Sequence, residues 1–161
     1  MIFDWQFLRR REGAAVRLMK TTECGAAAIL HSRNFARGWS EEELSALVLD
    51  PQVEAHVLAR GHRVDGFVLS RLAADEAEIL TIVLDEAQRG QGLATKLLLN
   101  HIARLVTRGI KVLFLEVGQT NQAALSLYFR HGFFEVGRRP AYYKNQDGSH
   151  SEAIILKKDL V

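Results

Sequence analysis

Between residues 78 and 117 the sequence changes its hydrophobic period twice, and this constrains the fold more than any other feature of the chain. Residues 78–84 (EILTIVL) form a β-type apolar run. Residues 93–107 then put Leu97, Leu98, Ile102 and Leu105 on one helical stripe, and 111–117 is again a continuous apolar run. Gly109 follows the stripe, where a left-handed residue ends a helix at little cost. A strand, a helix and a strand in this order predict a crossover, and a crossover joins parallel strands.

The rest of the chain extends the same alternation. A short strand is expected at 16–19, and a helix from Thr21 or Thr22 to about Arg33. Ser40 opens a second helix. Ser40 and Glu43 have capping-box spacing, Trp39 and Leu44 fit a hydrophobic staple, Leu44, Leu47 and Val48 share a face, and Pro51 ends the segment. The runs 53–59 and 63–72 flank Gly61 and read as a hairpin. With 78–84 they make an antiparallel meander. Asn121 caps a helix to about His131, Gly132 stops it, and strands near 134–137 and 153–156 follow. Helices, a meander and one strand–helix–strand unit predict an α/β fold (an α+β mixed sheet) with helices on both faces.

With 161 residues, 48% hydrophobic and 25% charged, the chain can bury one core, so a single domain over 1–161 is expected. The net charge of +2 lacks the basic excess typical of nucleic-acid binders, and no direct nucleic-acid partner is expected. Arg9-Arg10-Arg11 reads as solvated surface or part of a loose arm over 1–14. Cys24, the one cysteine, permits no internal disulfide and reads as a plain buried or half-buried thiol. No apolar run approaches the ~20 residues of a membrane span, and the start is not a signal peptide, so a cytoplasmic protein with no membrane partner is expected. His31, His56, His62, His101, His131 and His150 show no metal spacing; they read as ordinary, and no metal is expected.

The chemistry concentrates at Arg89-Gly90-Gln91-Gly92-Leu93-Ala94, between the apolar strand and the amphipathic helix. Unpaired amides at a helix start carry the positive end of its dipole, and glycines let that backbone approach an anion. A loop glycine pair can equally be structural. No Gly-Lys-Ser/Thr follows, and no third glycine stands at the dinucleotide offset, so neither of those phosphate motifs applies.

The turn resembles the acetyl-CoA turn of the GNAT acetyltransferases, Arg/Gln-x-x-Gly-x-Gly/Ala, with Arg89, Gly92 and Ala94 in the defining positions. The likeness continues through EAEILTIVL at 76–84, LFLEV at 113–117, Asn121, Leu127-Tyr128, Gly132-Phe133, GRRPAYY at 137–143 and Asp147-Gly148, and includes FARGWSE at 35–41. It covers about residues 16 to 160. It is closest to the RimI-like branch, which acetylates protein N-termini; Gly118 stands where that branch often has arginine. The resemblance implies a GNAT-like fold and an acetyl-CoA cosubstrate held by Ile82, Val83, Leu84, Arg89, Gly90, Gln91, Gly92, Leu93, Ala94, Thr95 and Asn121. It implies a protein N-terminal acceptor, such as the N-terminal alanine of a small-subunit ribosomal protein. A lysine- or small-amine-specific GNAT is the nearest alternative, and a non-catalytic acyl-CoA-binding module is one of another class.

Glu116 is the one ionisable residue in the run 112–117. Burying a carboxylate there is expensive unless it is paired or neutral, so it reads as a base with a raised pKa, an edge position or an ion-paired structural residue. The resemblance implies that it is the proton acceptor. Tyr128, by pattern, is a core tyrosine with a bonded hydroxyl; the resemblance implies the proton donor to the leaving thiolate. Asn121 is adequate as a helix cap alone. Tyr142 and Tyr143 are expected either to cover the sheet end or to wall the acceptor site.

Overall fold

A computed structural model describes residues 13–144 and 147–161. The Arg9-Arg10-Arg11 run and nearly all of the expected N-terminal arm lie outside these. The described chain runs β1 (Ala15–Leu18), α1 (Cys24–Asn34, after a 3-10 turn at Thr21–Glu23), α2 (Glu41–Leu49), β2 (Val53–Arg60), β3 (Arg63–Ala73), β4 (Glu76–Leu84), α3 (Leu93–Thr107), β5 (Val112–Gly118), α4 (Gln122–Arg130), β6 (Phe134–Lys144) and β7 (His150–Asp159). The strands form one sheet in the order β1-β2-β3-β4-β5-β7-β6. β4 and β5 pair in parallel, as the crossover predicts; the other neighbours pair antiparallel.

Each face of the sheet carries its own core. Leu97, Leu98, Ile102 and Leu105 of α3 and Leu125 and Tyr128 of α4 pack on one side with Leu113, Leu115, Val117, Ile154 and Leu156. Cys24, Ala27 and Leu30 of α1 and Leu44 of α2 pack on the other with Val57, Phe67, Leu69 and Val83. The capping box of α2 forms as expected: the Ser40 hydroxyl accepts from the Glu43 amide at 3.1 Å, and the Glu43 carboxylate accepts from the Ser40 amide at 2.8 Å.

A bulge in β4 positions the site. Leu69 pairs with Thr81 but Ser70 pairs with Ile79, so Leu80 is an extra residue. Before it, the odd residues Ala77 and Ile79 face the α3 side. After it, the even residues Ile82 and Leu84 face that side and Val83 faces the α1 side. The parallel ladder ends at the same level. It runs from Glu76↔Val112 to Ile79↔Leu115, and beyond it β4 and β5 diverge while β5 stays paired to β7.

Two expectations need correction. The closing strands are longer than 134–137 and 153–156, and GRRPAYY lies inside β6. Consecutive arginines and Pro140 hide the strand period there. The ladder is irregular between Arg139 and Tyr143, with Ala141 at φ 54. Nor are all six histidines ordinary. Ser70 Oγ lies 2.7 Å from His101 Nε2, and His101 Nδ1 lies 2.7 Å from His56 Nδ1. His56 Nε2 lies 3.4 Å from Glu54, which Arg108 meets at 2.6 Å. Two facing Nδ1 atoms can share one proton. With His56 Nε2–H turned to the carboxylate, His101 Nδ1–H donates to His56 and the Ser70 hydroxyl donates to His101.

In that arrangement both rings are neutral. Burial, then repulsion from His56, pushes His101 down to about 3; burial also lowers His56. A depressed folded pKa gives stability that is present above the unfolded value of ~6.5 and lost as pH falls below it toward the folded value. Between pH ~6.5 and ~5, where ordinary carboxylates are still ionised, His101 alone should remove about 0.7 kcal/mol per pH unit at the upper end, rising toward about 1.4 at the lower. Urea unfolding at a series of pH values measures this slope. A midpoint that stays constant over that window would contradict the neutral chain.

Candidate active site

The starts of α2 and α3 differ sharply. The α2 start is closed by its capping box and has Glu41, Glu42 and Glu43 in its first turn. The α3 start has neither a side-chain cap nor an acidic residue. Its N-cap, Gly92, has φ 72, and Gly90 has φ 75. A Cβ at either would meet nothing within 4 Å, so glycine is needed for the left-handed backbone, not for protein packing. The first amides of a 15-residue helix therefore face open space, a seat suited to an anion.

This seat opens into a cleft of about 610 Å³ on the α3/α4 side. Ile82, Val83, Leu84, Arg89, Gly90, Gly92, Leu93, Ala94, Thr95, Asn121 and Tyr128 all line it; Gln91, of the residues expected there, does not. One wall is the stretch of β4 that has parted from β5. Asn121 comes with its cap satisfied, its side chain accepting from the Ala124 amide at 3.2 Å. Tyr128 is buried, edge-on to Phe133 at 5.4 Å.

Asn34 and Phe35, at the end of α1, also line the cleft, and sequence reasoning missed them. Asn34 Oδ1 accepts from Arg89 Nη2 at 2.6 Å. The turn that carries them is built around His31, stacked between Phe35 and Trp39 at 4.4 and 4.6 Å. The Trp39 amide donates to His31 Nδ1 at 3.1 Å. A Cβ on Gly38 would lie 2.8 Å from Ser32 Cα, so only glycine lets this turn close.

Glu116 points the other way. Leu115 and Val117 face α3 and α4, which turns Glu116 to the opposite face, into a second cleft of about 330 Å³ lined also by Arg71, Glu78, Phe114, Arg139 and Ile155. Glu116 and Tyr128 thus lie on opposite sides of the sheet, flanking the divergence of β4 and β5. Glu116 is ion-paired: its Oε1 lies 3.0 Å from Arg139 Nη2. The Arg139 guanidinium in turn lies 5.2 Å from the centre of the Tyr142 ring. Tyr142 is half exposed and lines neither cleft. Tyr143 pairs through its backbone with Ser151; its side chain lies outside the described residues. Among the described residues no three His, Cys, Asp or Glu side chains gather as a metal-holding group, and no helix is long and apolar enough to cross a membrane.

Comparison with known proteins agrees with this geometry. The family model "Acetyltransferase (GNAT) family" matches residues 26–133. The [ribosomal protein bS18]-alanine N-acetyltransferase of Escherichia coli is 33% identical over 86% of this chain and 92% of its own length. That of Salmonella typhimurium is 33% identical over 88% and 94%. The crystal structure of the corresponding Escherichia coli enzyme superposes with a TM-score of 0.84 at 31% identity, covering 91% of this chain and 94% of that one. Ard1 from Thermoplasma volcanium shares the fold, with a TM-score of 0.81 at 19% identity. With an uncapped glycine turn, a split parallel pair and these likenesses together, the chain belongs to the acetyltransferase (GNAT) family and is an acetyl-CoA-dependent N-acetyltransferase.

Proposed function

We propose that this chain, acting as one domain, transfers acetyl to the α-amine of a protein N-terminus, with the N-terminal alanine of a small-subunit ribosomal protein as its acceptor. The divergence of β4 and β5 carries the reading, because it leaves a free strand edge between a phosphate seat and a carboxylate. The likeness to the two bS18-alanine acetyltransferases supports the acceptor. Such an acceptor would be met in the cytoplasm.

Acetyl-CoA supplies an activated acetyl group when bound. The α3 amides and Arg89 would hold its diphosphate. The backbone of Ile82, Val83 and Leu84, unpaired on the β5 side, would hydrogen-bond its pantetheine amides, and one amide there would stabilise the oxyanion. Asn121 would add a contact at the rim. Glu116, on the far side, would take the proton of the acceptor ammonium, and the Tyr128 hydroxyl would give its proton to the departing thiolate. An α-amine with pKa near ~8 needs only modest help, whereas a lysine near ~10.4 needs far more. Tyr142 and Tyr143 would wall the entry for the first residues of the peptide.

A short alanine-starting peptide should therefore be acetylated at its α-amine, as located by mass spectrometry. The same peptide with a blocked α-amine and an internal lysine should stay unlabelled. Efficient labelling of that lysine would replace the N-terminal reading with a lysine-specific one.

A further inference from the structure

We propose that Arg139 is a positioning residue that occupies, at Glu116, the place the acceptor's ammonium must take, and that it yields that place by staying on the Tyr142 ring as the acceptor enters. The inference rests on the proposed α-amine acceptor. Three observations carry it. The carboxylate already holds a cation: Glu116 Oε1 and Arg139 Nη2 are 3.0 Å apart. The two residues are unequally fixed. The Glu116 side chain is 17% exposed within interior strand β5, whereas that of Arg139 is 55% exposed on β6 at the sheet edge. The guanidinium also has a second contact in the same pose, its Cζ lying 5.2 Å from the Tyr142 ring centre, which can hold it when Glu116 is taken.

β6 is suited to such a movement. Arg139 still pairs with Ala153, but the next regular pair is Tyr143↔Ser151, so Pro140, Ala141 and Tyr142 stand against Glu152 alone. Ala141 is left-handed at φ 54. This irregular stretch begins at the residue that holds Glu116. Arg138, its neighbour in sequence, is engaged elsewhere, with Glu135 at 2.6 Å and Glu152 at 3.1 Å. It therefore has carboxylates of its own.

The function of such a stand-in is to keep a half-buried carboxylate paired until an amine arrives. A lone carboxylate there would attract any small cation in solution. With Arg139 present, an acceptor gains Glu116 only by exchange, one cation for another, so the guanidinium sets a threshold on acceptor binding. Arg139 lines the Glu116 cleft and not the Tyr128 cleft, so acetyl-CoA binding should not feel it.

The test is steady-state acetylation of an alanine-starting peptide by the full chain and by Arg139→Met and Arg139→Lys. Arg139→Met keeps an apolar stem without charge. Its KM for the peptide should fall about two- to fivefold, the scale of a partly exposed ion pair, with kcat within about twofold of wild type. Methylammonium should inhibit this variant competitively with the peptide more strongly than it inhibits wild type. Arg139→Lys keeps the cation and should restore the higher KM. Calorimetric acetyl-CoA affinity equal to wild type shows that the variants are folded. An unchanged or raised KM in folded Arg139→Met, or a loss confined to kcat, would overturn the exchange while leaving the N-terminal acceptor intact. A wild-type protein that neither binds nor acetylates the peptide overturns the acceptor reading, and the exchange with it.

Discussion

Tyr128→Phe is expected to lower kcat about 10²–10⁴-fold, the usual range for a positioned acid or base, with little change in the KM for acetyl-CoA. The substitution removes one hydroxyl from a buried ring and leaves the edge contact with Phe133 at 5.4 Å. Packing should survive, and a melting curve would register any loss of it. The prediction isolates the hydroxyl because Tyr128 forms a wall of the larger cleft, beside the β4 edge, while Glu116 opens on the other face. Stopped-flow or steady-state turnover decides the matter. Near-normal kcat would return Tyr128 to the role its sequence pattern first suggests, a core tyrosine with a satisfied hydroxyl.

Gly92→Val should weaken acetyl-CoA binding about ten- to hundredfold, the scale of losing a charge-assisted hydrogen bond to an anion. Two effects act together. A branched side chain resists φ 72, the conformation that aims the first α3 amides into the cleft. Its methyls would also fill space that the protein itself leaves open. Nothing of the protein lies within 4 Å of a Cβ there, so no steric clash should unfold the domain. Calorimetry on the folded variant measures the affinity. An unchanged value would place the coenzyme's diphosphate away from the α3 start.

The sequence showed much of this site, but unevenly. Local signals were clear: the stripe at Leu97, Leu98, Ile102 and Leu105 defined α3, Ser40 with Glu43 defined the start of α2, and the glycines marked the uncapped turn before α3. Each depends on neighbours a few residues apart. Arg139 was not legible, because its partner Glu116 reaches it only through the β5–β7–β6 pairing, and the alternation of β6 is broken by Arg138-Arg139-Pro140. Asn34 was missed for the same reason, being 55 residues from Arg89. His101 did leave a sign. It sits among Leu97, Leu98, Ile102 and Leu105 on the buried stripe, where a polar ring needs a partner. Its partner, His56, stands 45 residues earlier in a run otherwise read as plain strand.

The bulge at Leu80 makes β4 two strands in series, out of phase by half a period. Upstream, odd positions meet the α3 side; downstream, even positions do. Pairing β4 to β3 without the bulge, all residues kept, would therefore exchange the inside and outside of everything after Leu80, turning Val83 toward the α3 side and Ile82 and Leu84 toward the α1 core. Exchanging one apolar side chain for another would change a single contact. In this segment the break in pairing matters more than the kind of any one apolar residue.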